Sequence, residues 1–184
     1  ISEELTVFAR KTTIVPITKE QSRPFLEENH IQGISRASVH LGMYYMDNLV
    51  AVMLLTRIGS EWTLDRYATS CNVPGGHSKM LEYFKNNYEW TKIKTFADLC
   101  ISDGGLYEKT GWIRDAVLDP DYCYIYRGIR VHKFNFRLSR FRNDPNLLWE
   151  DGLSEKELAK LNGLHKVWDC GKIRYVLEND NVKR

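Results

Sequence analysis

A glycine turn set directly ahead of an amphipathic helix, within the stretch Asn72 to Trp112, constrains this chain more than any other feature. The stretch reads N-V-P-G-G-H-S-K-M-L-E-Y-F, then K-T-F-A-D-L, then G-G-L-Y-E-K-T-G-W. Met80, Leu81, Phe84 and Tyr88 recur at helical spacing, so Ser78 to Asn87 is expected to be a helix with one buried face. The first turn of a helix leaves backbone N–H groups unpaired at the positive end of its dipole. The turn Pro74-Gly75-Gly76 can therefore hold an anion, most simply a pyrophosphate, and Val73, Gly75, Gly76, His77 and Ser78 are the expected cofactor-binding residues. A nucleotide-tailed cofactor or a nucleic acid carries such a group.

At 184 residues and 43% hydrophobic, the chain is large enough to bury a proper core and suits one domain with an appendage. No apolar run reaches the ~18 residues of a membrane span, and the opening I-S-E-E-L lacks a basic region ahead of an apolar segment. A soluble protein with no membrane partner is expected. Cys71, Cys100, Cys123 and Cys170 lie far apart without a C-x-x-C pair, which argues against a zinc ribbon or a disulfide scaffold and for a reducing cytoplasm. The net charge of +2 selects no partner by itself.

The distribution of charge says more. From Arg127 to Arg142 the sequence carries Arg127, Arg130, Lys133, Arg137, Arg140 and Arg142 with no acid, interleaved with Phe134, Phe136 and Phe141. Cations meet phosphates and aromatics stack on bases, so these six are expected nucleic-acid contacts and DNA the expected partner. A strand with Val131, Phe134 or Phe136 buried and its cations solvated explains the pattern nearly as well.

Thr12 to Val15 reads as a strand, and Thr18 with Gln21 forms a capping box for a helix to about Asn29. His40 to Tyr45, Leu49 to Thr56 and Glu61 to Ala68 read as a three-strand meander. Strand Ile93 to Ala97 follows the Ser78 helix, then a helix from about Gly105 that closes at Gly111 in a left-handed cap. Trp112 to Leu118 and Tyr122 to Tyr126 are two further strands. After Asn143, Ser154 and Glu157 make a second capping box, and Lys166 to Trp168 is expected to pair with Ile173 to Leu177 as a hairpin across Asp169-Cys170-Gly171-Lys172. The expected division is a main domain over residues 1–142 and a docked helix-plus-hairpin extension over residues 143–184.

The order strand, helix, meander, helix, strand, helix, two strands resembles the GNAT acyltransferase fold, an α/β fold with a mixed central sheet flanked by helices. That resemblance implies acyl-coenzyme A or acetyl-coenzyme A as cofactor, its pyrophosphate on the glycine turn. The chain departs from the family's Arg/Gln-x-x-Gly-x-Gly/Ala by having N-V-P-G-G-H. N-H-I-Q-G at Asn29 to Gly33, D-R-Y at Asp65 to Tyr67, S-K-M-L at Ser78 to Leu81, A-D-L at Ala97 to Leu99 and G-G-L-Y-E-K-T-G-W at Gly104 to Trp112 resemble phage Mom-type DNA-modification proteins. Together with L-S-E-K-E-L and W-D-C-G-K-I-R-Y-V-L, they also resemble a domain that follows Vsr-like nuclease domains in phage homing endonucleases, with F-A-R-K-T-T-I as the seam. A partner nuclease domain outside this chain and the cytoplasm of an infected bacterium are the implied setting.

Position by position, the resemblance nominates His30, Arg66, Ser78, Asp98 and Tyr107. His30 can act as base or metal ligand, or bond a carbonyl at a helix end. Arg66 can fork onto phosphate or sit at a strand edge; Ser78 can serve the site or cap the helix. Asp98, at the carboxyl end of a strand, can take a proton from an amine or hold a metal, or cap the next turn. Tyr107 can protonate a thiolate leaving group, as the matching tyrosine does in many GNAT enzymes, or pack as a half-buried aromatic. Should His30 and Asp98 converge, they would form a His/carboxylate metal site. Two functions follow: transfer of an acyl-type group to a nucleobase amine, adenine in DNA, as an anti-restriction device, with Tyr44, Tyr45 or Trp112 as a stacking wall for the base; or a DNA-recognition domain without transferase activity.

Overall fold

A computed structural model describes residues 5–179. Its elements are β1 (Thr13–Pro16), α1 (Lys19–Asn29), β2 (Val39–Tyr45), β3 (Asn48–Ile58), β4 (Glu61–Thr69), α2 (Gly76–Asn87), β5 (Lys92–Asp98), α3 (Gly105–Lys109) and β6 (Ile113–Leu118). There follow β7 (Tyr122–Tyr126), β8 (Ile129–His132), α4 (Leu138–Asn143), α5 (Glu155–Leu161), β9 (His165–Trp168) and β10 (Lys172–Glu178). Seven strands form one sheet in the order β1-β2-β3-β4-β5-β10-β6, and three form another in the order β8-β7-β9.

Strand β3 explains the layering. Val50 to Leu55 are all buried, which requires cover on both faces. Successive side chains alternate: Ala51, Met53 and Leu55 join Met80, Leu81 and Phe84 of α2, whereas Val52 and Leu54 join Phe25 and Leu26 of α1. The two helices thus cover opposite faces of the meander. Helix α1 begins with the expected capping box on Thr18 and Gln21. Helix α2 begins at Gly76, two residues before the expected Ser78, with left-handed Gly75 as N-cap at φ +77°. Helix α3 closes as expected at left-handed Gly111, with Trp112 N–H on the Tyr107 carbonyl at 3.1 Å and Gly111 N–H on the Glu108 carbonyl at 3.4 Å.

A single extra residue shapes the middle of the sheet. Leu54 pairs with Arg66 but Leu55 pairs with Leu64, so Asp65 is a bulge in β4. The bulge switches the alternation: Trp62, Leu64 and then Tyr67 face the α2 core, and Ala68 faces α1. The parallel ladder between β4 and β5 covers only Glu61–Thr63 against Lys92–Lys94 and stops just before the bulge.

The expected hairpin between Lys166–Trp168 and Ile173–Leu177 does not form. Strand β9 pairs with β7, Tyr122 opposite Trp168 and Ile125 opposite His165, while β10 enters the main sheet between β5 and β6. The cause is burial: Ile173, Tyr175 and Val176 are all buried and need a covered central position, whereas Trp168 is exposed. In the link after β9, Asp169 Oδ1 accepts the backbone N–H of both Asp121 (2.7 Å) and Gly171 (3.0 Å). Gly171, at φ +83°, lies so close to the Leu118 carbonyl that a Cβ would stand 2.5 Å from it. The chain accordingly divides into two compact units at places other than residue 142. One comprises residues up to Ala97 with Gly104–Ala116 and Ile173 onward; the other comprises Asp98–Asp103 and Val117–Lys172.

Tyr175→Ala should lower unfolding free energy by about 3–5 kcal/mol, because it empties the largest fully buried side chain. Trp168→Ala, at an exposed position, should cost under about 1 kcal/mol. Urea unfolding measures both; equal costs would contradict the placement of β10.

Candidate functional site

In the first unit, polar atoms gather where the β4–β5 ladder has ended. Thr95, the first residue of β5 past the paired stretch, is buried and lies with its hydroxyl 3.1 Å from the Leu64 carbonyl and 3.3 Å from the Tyr107 hydroxyl. A hydroxyl has one proton, so when Thr95 donates to Leu64 it accepts from Tyr107. Burial raises the pKa of Tyr107. Beside it, Tyr67 accepts the His77 backbone N–H, and burial pushes its phenol up to about 12.

The ring of His77 completes this cluster, with centroids 5.2 Å from Tyr67, 5.9 Å from Tyr107 and 6.3 Å from Trp112. It is only 3% exposed, and among the described residues neither ring nitrogen has a hydrogen-bond partner; the Trp112 indole N–H is likewise buried and unpaired among them. Burial pulls the pKa of His77 down to about 4, so the imidazole is neutral at physiological pH. His77 therefore acts as part of an aromatic wall, and its backbone N–H is spoken for. Trp112 is buried in the core and cannot serve as the expected stacking wall for a base.

The glycine turn retains part of the expected anion site. Gly76 N–H returns to the Val73 carbonyl (2.9 Å) and Lys79 N–H to the Gly75 carbonyl (3.0 Å). With His77 N–H on Tyr67, the amides of Gly75 and Ser78 are left free among the described residues. Ser78 is exposed in the first turn and caps nothing. At Gly76 a Cβ would stand 2.7 Å from the Tyr67 hydroxyl and 2.9 Å from Val73 Cγ1, so internal packing already demands glycine there. The N-terminal segment fastens the turn: Val7 N–H bonds the Asn72 carbonyl, Ala9 N–H the Pro74 carbonyl, and Lys79 Nζ the Ala9 carbonyl at 2.9 Å.

His30 and Arg66 come together elsewhere on this unit. Arg66 Nε donates to the Gly33 carbonyl (3.0 Å) and Nη1 to the Asp65 carbonyl (2.7 Å), so this half-buried guanidinium clamps the α1–β2 connection. It is not the strand-edge surface cation of the sequence reading. Burial and then Arg66 lower the pKa of His30, whose Nδ1 accepts the Gln32 N–H at 3.1 Å. That bond places the neutral ring's proton on Nε2, which makes the free nitrogen a donor. Asp98 belongs to the second unit, where its carboxylate accepts the Cys100 N–H (3.0 Å) and its carbonyl those of Ile101 and Ser102 (2.9 and 2.8 Å). Turn capping is what its geometry performs. Among the described residues, no group of three or more His, Cys, Asp or Glu side chains is arranged to hold a metal.

The basic run folds as β8, a 3-10 turn and α4, with Phe136 and Phe141 in the second unit's core and Phe134 exposed. Three of its cations are neutralised: Lys133 by Asp121, Arg137 by Glu155 (3.6 Å) and Arg140 by Asp144 (3.4 Å). Arg127, Arg130 and Arg142 have no ion pair among the described residues; Arg127 lies over Tyr126 and Arg142 over Trp149. Cations outside the run complete the surface. A groove of about 560 Å³ along α5 and β9 is lined by Tyr124, Lys156, Lys160, His165 and Lys166, and its one acid, Glu157, is bonded to Ser154. Sequence spacing could not reveal this set, because β9 joins β7 from forty residues away.

No protein-family model matches the sequence, and no curated protein sequence matches it. Solved structures share its fold. A GNAT family acetyltransferase from Elizabethkingia anophelis with acetyl-CoA bound is 16% identical, with a TM-score of 0.52 over 92% of this chain and 99% of its own. The Bacillus subtilis acetyltransferase in complex with CoA is 12% identical, with a TM-score of 0.51 over 92% and 98%. The ribosomal-protein-S18-alanine N-acetyltransferase from Escherichia coli is 10% identical, with a TM-score of 0.52 over 91% and 93%. The fold is therefore of GNAT type, and at such identities the likeness speaks for fold alone.

His77 makes stability depend on pH in a defined window. Above its ordinary value of 6.5 neither folded nor unfolded chain protonates it; between 6.5 and about 4 only the unfolded chain does, so stability falls as pH falls. The loss attributable to this residue is roughly 3 kcal/mol by pH 4. His77→Gln should flatten the decline in melting temperature between pH 7 and 4.5 relative to the parent chain. An unchanged decline would show that the ring is not held neutral.

Proposed function

We propose that this chain is an acyltransferase that takes its acyl group from acyl-coenzyme A and passes it to an amine, with a nucleobase amine of DNA, adenine foremost, as acceptor. The observation that carries this reading is the early end of the β4–β5 ladder, with the Thr95 and Tyr107 hydroxyls inside the gap and two free amides at the start of α2. Acyl-coenzyme A, when bound, would supply an activated thioester. Gly75 and Ser78 N–H would hold its pyrophosphate, and backbone groups of β4 past Thr63 and β5 past Lys94 are not engaged with one another and can pair with an extended chain. Tyr107 keeps its proton at neutral pH and is the group available to protonate a thiolate. Arg127, Arg130 and Arg142, with Lys156, Lys160 and Lys166, supply cations for DNA phosphates. Blocking restriction by altering adenine would be the biological use.

One observation favours a DNA-recognition module without transferase activity, working beside a nuclease domain. Tyr67 takes one amide of the turn, and the crowding of Gly76 and His77 fills space at the helix start. The two readings part on chemistry. Incubated with acetyl-coenzyme A and DNA, the transferase should release free coenzyme A and leave a new adenine adduct in nucleoside mass spectra. Tyr107→Phe should slow this roughly a hundredfold while leaving the melting temperature within a few degrees. DNA bound tightly but unmodified, with no coenzyme A released, would establish the module; neither binding nor modification would overturn both.

A further inference from the structure

We infer that Cys100 and Cys170 form a paired dithiol that two-electron oxidants, peroxides or small disulfides, close into an intramolecular disulfide. The two residues are 70 positions apart, yet the Cys170 N–H donates to Cys100 Sγ at 3.0 Å. Both are exposed and both are free thiols, so an oxidant reaches them directly. Their backbones are fastened independently of the sulfurs. The Leu99 N–H donates to the Gly171 carbonyl at 3.1 Å, and Cys100 lies in the turn wound on Asp98, whose carboxylate accepts its N–H at 3.0 Å. On the other side Asp169 Oδ1 holds the Gly171 N–H at 3.0 Å. Two fixed turns that already bring Cys100 Sγ against the Cys170 backbone need little movement to reach disulfide geometry. All of these residues belong to the second unit.

The Cys170 contact, with burial second, pushes the Cys100 thiol up to about 11, and the thiolate form of either sulfur is the one that meets the oxidant. With hydrogen peroxide, one of the two sulfurs attacks one oxygen, forms a sulfenic acid and releases water; the other sulfur then displaces the hydroxyl as a second water, and the S–S bond forms. Two thiols and one peroxide give one disulfide and two waters. With glutathione disulfide, exchange through a mixed disulfide releases two glutathione thiols. The bond would close a long loop and tie the turn at Asp98 to the start of β10.

The full chain, treated with a small excess of hydrogen peroxide or glutathione disulfide and then with a maleimide, should retain two of its four thiols, Cys71 and Cys123. The unlabelled mass should fall by two hydrogen atoms, proteolysis should give one peptide linking Cys100 to Cys170, and dithiothreitol should reverse both changes. Closing a loop of this length should raise the melting temperature by several degrees. Cys100→Ser and Cys170→Ser should each abolish the link, and a Cys71→Ser/Cys123→Ser variant should keep it. Four reactive thiols after oxidation, a link to Cys71 or Cys123, or cross-linked pairs of chains would each overturn the inference.

Discussion

One extra residue in β4 governs the first unit. Because Asp65 has no partner of its own on β3, the strand changes face there, and Tyr67 turns toward α2 in place of the next residue in the alternation. The ladder to β5 ends after Thr63 and Lys94, so beyond it the backbone groups of β4 and β5 are not paired with one another. Thr95 and Tyr107 supply hydroxyls in that gap, and the Tyr67 hydroxyl fixes the first turn of α2 by holding the His77 amide. A sheet interior with unsatisfied backbone is costly unless something pairs with it. A ligand with an extended, hydrogen-bonding body answers that need, and this is why the gap, rather than any single side chain, carries the functional reading.

The second unit is built from an excursion between neighbouring strands. Residues Val117–Lys172 run between β6 and β10, which lie side by side in the main sheet. The excursion folds round its own cluster of Tyr124, Phe136, Phe141, Leu147, Leu158 and Leu164, and the chain then returns to place Tyr175 at the centre of the first unit's core. Ten of the chain's 26 Lys and Arg residues lie in this excursion, several stacked on tyrosine, phenylalanine or tryptophan rings, which leaves fewer of them free for phosphate than the sequence suggests.

Periodicity made most of the first unit legible. The meander, the capping box of α1, the amphipathic α2 and the left-handed cap at Gly111 follow from local patterns, because each depends on residues a few positions apart. The partner of β10 was not legible: a four-residue turn between two apolar runs reads as a hairpin, and only burial on both faces of Ile173 to Val176 reveals a central strand. At the site, Gly75 is explained by its backbone angle and Tyr107 by its hydroxyl contact with Thr95. Asp98 and His30 are tied to local backbone instead, the commonest fate of such residues in a turn or at a helix end. The thiol pair depends on two turns 70 residues apart and leaves no trace in spacing.

The central claim is that the gap beside the bulge and the turn before α2 receive one anionic, extended cofactor. Backbone amide resonances followed during addition of acetyl-coenzyme A test it directly. The account predicts saturable shifts confined to Gly75 to Ser78, the β4 residues past Thr63 and the β5 residues past Lys94, with Gly75 and Ser78 moving most. Unmoved resonances at millimolar coenzyme, or shifts gathered on the cationic surface of the second unit alone, would contradict it.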